Sequence, residues 1–237
     1  MSRLTICAAA TLLAGCGVVH ADEASAGDTR SFSVRGFDRV SLRGSDNVVV
    51  RVGAAESVTA TGPDDVLDKL EVKVVDGELR IGREKRWNLG WSRSSKPATI
   101  TVTLPRIRGA SVAGSGDMQV DRAQAATFAG SIAGSGNLAI AALQADVASL
   151  SIAGSGDASI SGQTKSLAVS IAGSGNLQAQ GLKAERAKIS IAGSGDVRAH
   201  VTGDADVSIV GSGDVTLAGN PRCRTSKMGS GEVRCGA

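Results

Sequence analysis

The chain has 237 residues, 42% of them hydrophobic, with 31 glycines, no tyrosine and 2% aromatic residues. An interior built on rings is excluded, so Val, Ile, Leu and Ala have to fill it, which suits thin and regularly stacked layers. The formal net charge is +3 with acids and bases interspersed, which excludes the concentrated basic surface of a dedicated nucleic-acid binder; no nucleic acid is expected among the partners.

Met1-Ser2-Arg3 is a short positive start, residues 4–14 form an apolar run of signal-peptide length, and Leu13-Ala14-Gly15-Cys16 closes it with small residues before a cysteine. The run is too short to span a bilayer as a helix. Residues 13–16 read as a lipobox, which predicts acylation of Cys16 and attachment to a membrane through the lipid anchor. Because Gly17 is not the aspartate that marks inner-membrane retention, an outer-membrane lipoprotein is the favoured address in the cell envelope. Val19-His20-Ala21 offers the alternative, a soluble periplasmic protein that begins at Asp22. The signal peptide thus covers residues 1–21, and residues 22–31, rich in Ala, Ser, Gly, Asp and Glu, read as a flexible tether.

Residues 32–110 form an N-terminal β half. Residues 48–50, 70–75, 78–81 and 98–104 are strand-like, Asp76-Gly77 is a hairpin turn signal, and a short helical turn is expected over 64–69 after Pro63. Gly44-Ser45-Asp46-Asn47 looks like a degenerate copy of a repeat that dominates the second half. This half is expected to begin the same sheets, to be interrupted by a hairpin excursion, and to cover a sheet end that would otherwise expose strand edges. Phe32 and Phe37, with Phe128 further on, are expected in the core.

One segment departs from both patterns. In loop 83–97, Arg83, Lys85, Arg86, Arg93 and Lys96 surround Trp87 and Trp91, the only tryptophans of the chain. Such a set could stack on sugars or settle at a membrane interface while meeting phosphates. Equally, the segment could be a long hairpin loop folded back so that its rings cap the end of the fold. Both readings stay open.

From residue 111 to 237 the chain is a repeat. Gly-Ser-Gly begins at Gly114, Gly134, Gly154, Gly173, Gly193, Gly211 and Gly229, with spacings of 20, 20, 19, 20, 18 and 18 residues. A fixed period of this length means stacked supersecondary units. An apolar residue precedes most turns by two (Val112, Ile132, Ile152, Ile171, Ile191, Ile209), and apolar residues follow at alternate positions. Alternation of this kind belongs to strands. At about 3.3 Å per residue such a unit closes into a coil roughly 66 Å around, with coils stacking about 4.8 Å apart.

The residue after each turn is Asp117, Asn137, Asp157, Asn176, Asp196, Asp214 and then Glu232. Stacked carboxylates about 5 Å apart repel by roughly 1 kcal/mol in water, and alternating Asp with Asn relieves most of that cost. The column therefore reads as a structural ladder of turn residues that satisfy backbone amides. Calcium is the weaker alternative; only Asp196 and Asp214 put two aspartates on neighbouring coils. No other cofactor is expected. Cys223 and Cys235 are the thiols left to the folded region, and an oxidising compartment would pair them into a clamp on the C-terminal end. Without a nearby His they make only half of a tetrahedral metal shell, so no metal site is expected.

The paired halves, the repeated Gly-Ser-Gly-Asp and Gly-Ser-Gly-Asn, Leu104-Pro105 leading into Val112-Ala113-Gly114-Ser115-Gly116, and Met228-Gly229-Ser230-Gly231 near the end resemble the head GIN domain family, described as "putative auto-transporter adhesin". The resemblance covers residues 34–235. It implies a right-handed β-helix-like fold on exported bacterial proteins and brings no catalytic residues with it. The expected fold class is therefore all-β: a right-handed parallel β-helix or solenoid of about 18–20 residues per coil with an N-terminal cap that contains a β-hairpin.

The inventory for catalysis is poor. His20 and His200 are the only histidines, and neither has a recognisable nucleophile partner. The favoured function is a non-catalytic envelope module, adhesin-like or surface-binding, whose partner is an envelope component or a glycan. The alternative is a carbohydrate-active β-helix enzyme of lyase or hydrolase type, an analogy at the level of fold alone.

Overall fold

The inward alternation keeps its phase across each Gly-Ser-Gly, with Val112 before the turn and Met118 and Val120 after it all buried, and the chain turns a corner there to close into coils. This is seen in a computed structural model, which describes residues 28–83 and 96–236. The N-terminal half holds β1 (Asp28–Phe32), β2 (Arg39–Gly44), β3 (Asn47–Val52), β4 (Ser57–Gly62), the helical turn α1 (Asp64–Leu67), β5 (Leu70–Val75), β6 (Glu78–Arg83) and β7 (Thr99–Leu104). The repeats hold β8 (Gly109–Gly114), β9 (Met118–Val120), β10 (Ala123–Gly134), β11 (Leu138–Gly154), β12 (Ala158–Gly173), β13 (Leu177–Gly193), β14 (Val197–Val201), β15 (Asp204–Gly211), β16 (Val215–Ala218), β17 (Arg222–Met228) and β18 (Val233–Cys235).

All of these strands except β1, β4 and β5 stack in parallel to make an all-β solenoid. The strands before the turns form one face, in the order β6-β2-β8-β10-β11-β12-β13-β15-β17. The strands after the turns form a second, in the order β7-β3-β9-β11-β12-β13-β14-β16-β18. The long strands β11, β12 and β13 run round a corner and serve both.

Register puts like residues on like. Ile81, Leu42, Val112, Ile132, Ile152, Ile171, Ile191 and Ile209 make one core column. A second column alternates size, with Phe128 on Ala148, then Leu167 and Ala187. Large against small lets a narrow lumen fill without rings at every level. Phe37 and Phe128 are buried, and Phe32 packs at the margin of the same core.

The N-terminal half is more than a first coil. β6 and β7 lie on the far side of β2 and β3 from the repeats, so the excursion stacks beneath the coil that precedes it in sequence. Antiparallel strands finish the end: β5 on β6, β4 on β7 and β1 on β4. The β5–β6 hairpin turns at Asp76 and Gly77, with φ of 51° and 73°, the primed geometry that matches strand twist. Val66 and Leu67 of α1 are buried under this end.

Two expectations change. Residues 28–31, read as tether, form most of β1, because the backbone ladder to β4 supplies the bonds that an apolar pattern does not announce. The segment between β6 and β7 is also not a hairpin loop. Its flanking strands lie on different faces, and both edges of β6 are already taken by β5 and β2.

Candidate functional site

The seven Gly-Ser-Gly turns form one straight edge of the solenoid. The carbonyl of the first glycine accepts from the N–H of the serine in the next turn, as Gly114 does from Ser135 and Gly134 from Ser155, both at 2.9 Å. A side chain at the second glycine would run into the carbonyl of the turn below, Gly116 for Gly136 and Gly136 for Gly156. The glycines are therefore required by backbone stacked on backbone.

Beside this edge runs the Asp/Asn column. Asp117 Oδ1 accepts from Asn137 N at 3.0 Å and Asn137 Nδ2 at 2.9 Å; Asn137 Oδ1 accepts from Asp157 N at 3.0 Å. The pattern continues through Asp157 to Asn176, Asn176 to Asp196, and Asp196 to Asp214 at 2.8–2.9 Å. Each bond runs from coil to coil. Past Asn176 the column is all acid (Asp196, Asp214, Glu232), and Arg follows two residues after its first and last members: Arg198 after Asp196, and Arg234 after Glu232, with Arg234 bonded to Glu232 at 2.6 Å. The Arg234 hydrogen bond holds the Glu232 carboxyl below its ordinary value. Among the described residues no three His, Cys, Asp or Glu side chains gather as a metal-binding group.

The column ends at the degenerate turn. Asp46 occupies the place of the second glycine, and its side chain is wholly buried. It points toward the level where another turn would lie, and there it holds both ends of the excursion. Arg83 donates through Nε at 2.9 Å and through a second nitrogen, and Ala98 N donates at 2.8 Å. Opposing that charge raises the Arg83 guanidinium still further above its ordinary value, chiefly through the hydrogen bond to Asp46. The segment that replaces the terminal turn is therefore pinned at its base by one carboxylate.

A cleft of about 530 Å³ opens beside this base. Lys73 is paired with Glu71 and Arg80 with Glu78, each at 2.7 Å, whereas the exposed Arg43 at the cleft has no hydrogen bond or ion pair among the described residues. Of the residues singled out in the basic, Trp-containing segment, Arg83 sits in the clasp and Lys96 is exposed. Lys85, Arg86, Trp87, Trp91 and Arg93 lie outside the described residues, as does Cys16.

At the opposite end Cys223 and Cys235 form a disulfide. Cys223 stacks on Ala205 of one core column and Cys235 on Leu217 of another, so the bridge crosses the open end of the lumen. Lys227 stacks two inward positions further on, on Ile209, and donates to the Gly231 carbonyl at 3.3 Å. A charge pointing inward on an edge strand discourages further strand pairing.

Known proteins share this architecture. The sequence matches the family described as "Putative auto-transporter adhesin, head GIN domain" over residues 36–221. The chain belongs to this family. A crystal structure titled "putative adhesin" from Bacteroides fragilis is similar, with a TM-score of 0.77 and 25% identity over 87% of this chain and 95% of that one. A "Putative lipid binding protein" from Parabacteroides distasonis shares the fold at a TM-score of 0.69 and 24% identity, covering 89% of this chain and 97% of that one. An adhesin-titled structure from Parabacteroides merdae shares it at 0.69 and 15% identity over 89% and 96%. No curated protein matches. The head GIN description points to an exported cell-surface or envelope protein, and a disulfide suits an oxidising compartment. No helix of the described residues is long and apolar enough to cross a membrane.

Sequence reasoning missed Asp46. The signal was there, since Gly44-Ser45-Asp46 is the copy that breaks the second glycine, but its partner Arg83 is 37 residues away and nothing local connects the two.

Proposed function

We propose that this head GIN protein is a non-catalytic adhesin-like module of the cell envelope. In this reading the lipidated Cys16 anchors it to the outer membrane, and the basic, tryptophan-containing segment 83–97 meets an envelope component or a glycan. The observation that carries the reading is the Asp46 clasp. The Asp and Asn side chains beside the turn edge hold coil to coil, and at the N-terminal level where that ladder stops, a buried carboxylate fixes both ends of that segment beside the cationic cleft of Arg43. A rigid scaffold that presents a segment rich in cations and rings serves binding, because ordering the base beforehand lowers the entropy cost of contact. The adhesin titles of similar structures support the same reading.

Binding of the purified protein to bacterial cells and to immobilised acidic glycans, which the cations of the segment favour, should fall at least tenfold in a Trp87→Ala/Trp91→Ala variant whose melting temperature is unchanged. Unchanged binding with a lowered melting temperature would mean that the rings cap the fold instead, and would end this proposal. Mass spectrometry of the mature N-terminus decides the anchor: acylated Cys16 supports it, and a free Asp22 replaces it with a soluble periplasmic protein.

A further inference from the structure

A second polar ladder runs along the solenoid at a different place, and it behaves in the opposite way to the Asp/Asn column. Gln124, Gln144, Gln163 and Lys183 lie in register on successive coils, about 4.8 Å apart. All four are exposed. Every Asp or Asn of the turn column accepts a backbone N–H from the next coil, but no hydrogen bond engages the amides of Gln124, Gln144 or Gln163 among the described residues. One ladder is saturated and holds the fold. The other leaves its donors and acceptors to solvent.

These amides form one wall of a groove of about 640 Å³ that runs along the stack from the level of Gln124 to that of Thr202. Its volume falls within the usual range of ligand sites, about 300–1,000 Å³. The floor is lined by Ala145, Thr164 and Ala184, whose small side chains face the core and leave the corner hollow. The opposite wall carries Asp146, Lys165 and Glu185, with Lys165 bonded to Asp146 at 2.7 Å. With Lys183 that makes two acids and two bases, so the groove has no charge surplus.

The geometry points to a linear, neutral glycan lying along this groove. A side-chain amide both donates and accepts, as a sugar hydroxyl does, so a row of free amides can pair with successive hydroxyls of a chain. Balanced charge disfavours a polyanion. A polypeptide strand is disfavoured as well: the strands here run across the groove and already bond to the coils above and below, so no free edge is offered for strand addition. No aromatic side chain lines the groove, so binding rests on hydrogen bonds and gains strength with chain length. The site is separate from segment 83–97 and stands or falls independently of it.

Native gels cast with soluble neutral polysaccharides (β-glucan, mannan and xylan), with dextran sulfate, or with gelatin test this on mature protein purified from exporting cells. At least one neutral polysaccharide should retard the protein. A Gln144→Ala/Gln163→Ala variant should need at least fivefold more polysaccharide for the same retardation, with its melting temperature unchanged because both side chains are exposed and unbonded. The Trp87→Ala/Trp91→Ala variant should still be retarded as the parent is, which keeps this site distinct from the loop reading. Retardation by dextran sulfate or gelatin alone, by nothing, or by neutral polysaccharide with indifference to the glutamine pair would overturn the proposal.

Discussion

Asp46 and Arg83 stand 37 residues apart in sequence, and their side chains meet in a two-point ion pair whose carboxylate is fully buried. The same carboxylate takes the N–H of Ala98. One residue that departs from the Gly-Ser-Gly rule thus closes the gap left where the terminal turn is replaced by a longer segment.

Removing that carboxylate leaves a guanidinium and a buried N–H without their acceptor. Arg83 remains partly solvated, at 28% exposure, so the loss stays at the lower end of what breaking a buried pair costs. Asp46→Ala should destabilise by about 2–3 kcal/mol, and Asp46→Asn, which keeps an acceptor for Ala98, by about half as much. Thermal melts followed by circular dichroism check the order. Equal melting temperatures for the two variants and the parent would show that the clasp contributes nothing to stability.

Two glycines separate stacking from strain. Gly44, with φ of 127°, has open space where a side chain would go, whereas a side chain at Gly136 would collide with the Gly116 carbonyl. Gly44→Ala should therefore cost about 1–3 kcal/mol from backbone strain alone. Gly136→Ala has to push neighbouring coils apart, so it should lower the yield of folded protein or expose β9–β11 amides to hydrogen exchange. A Gly136→Ala protein as stable as Gly44→Ala would overturn the stacking account.

Much of this was legible beforehand because a solenoid repeats its reasons. The positions of Ile132, Ile152 and Ile171 before each turn place them inside, and Asp76-Gly77 carries its own turn geometry. What could not be read was order. Leu42 and Val40 present the same aliphatic row to β6 as to β8, so nothing local says that the excursion lies beneath the first coil. β1 was missed since Asp28, Thr29, Arg30 and Ser31 are exposed and bond mainly through their backbone. The unbonded glutamines share the period of the repeat, but their freedom depends on what neighbouring coils leave unpaired.

The Cys223–Cys235 bridge spans 12 residues, and closing a loop of that size removes about 3 kcal/mol of unfolded-chain entropy. Because it seals one end of a one-dimensional stack, its loss should act locally. Reduction, or Cys223→Ser/Cys235→Ser, should raise hydrogen exchange in β17 and β18 while β11–β13 stay protected. Uniform loss of protection along the chain would show that the end governs the whole fold.

Acid titration should bring opposite responses from the two ends. Asp64 is raised above its ordinary value of 3.8, chiefly by a hydrogen bond and charge repulsion from Asp28. Its folded form holds the proton more tightly than the unfolded chain does, so its contribution to stability is present below that ordinary value and is lost as pH rises through the raised one. Glu232 is lowered by Arg234; its contribution is present above the ordinary carboxyl range and is lost as pH falls through the lowered value. Asp64→Asn should flatten the first dependence, and Arg234→Gln the second, in melting temperatures taken between pH 3 and 7. An unaltered profile in either variant would assign that response to other groups.

The Asp/Asn alternation supplies the last test. In Asn137→Asp the Nδ2 donor to Asp117 is lost, and a new carboxylate lies between Asp117 and Asp157. Two like-charge neighbours at about 5 Å cost roughly 1 kcal/mol each in water, so the variant should melt several degrees lower at pH 7. The gap should close below pH 4 as the carboxyls take protons. If the column is structural, millimolar calcium should leave the parent's melting temperature unchanged, since Asp196 and Asp214 each already receive a backbone N–H from the next coil. A calcium-dependent rise that Asp196→Asn or Asp214→Asn abolishes would make the column a cation site, and the alternation with Asn would then mark where such sites are switched off.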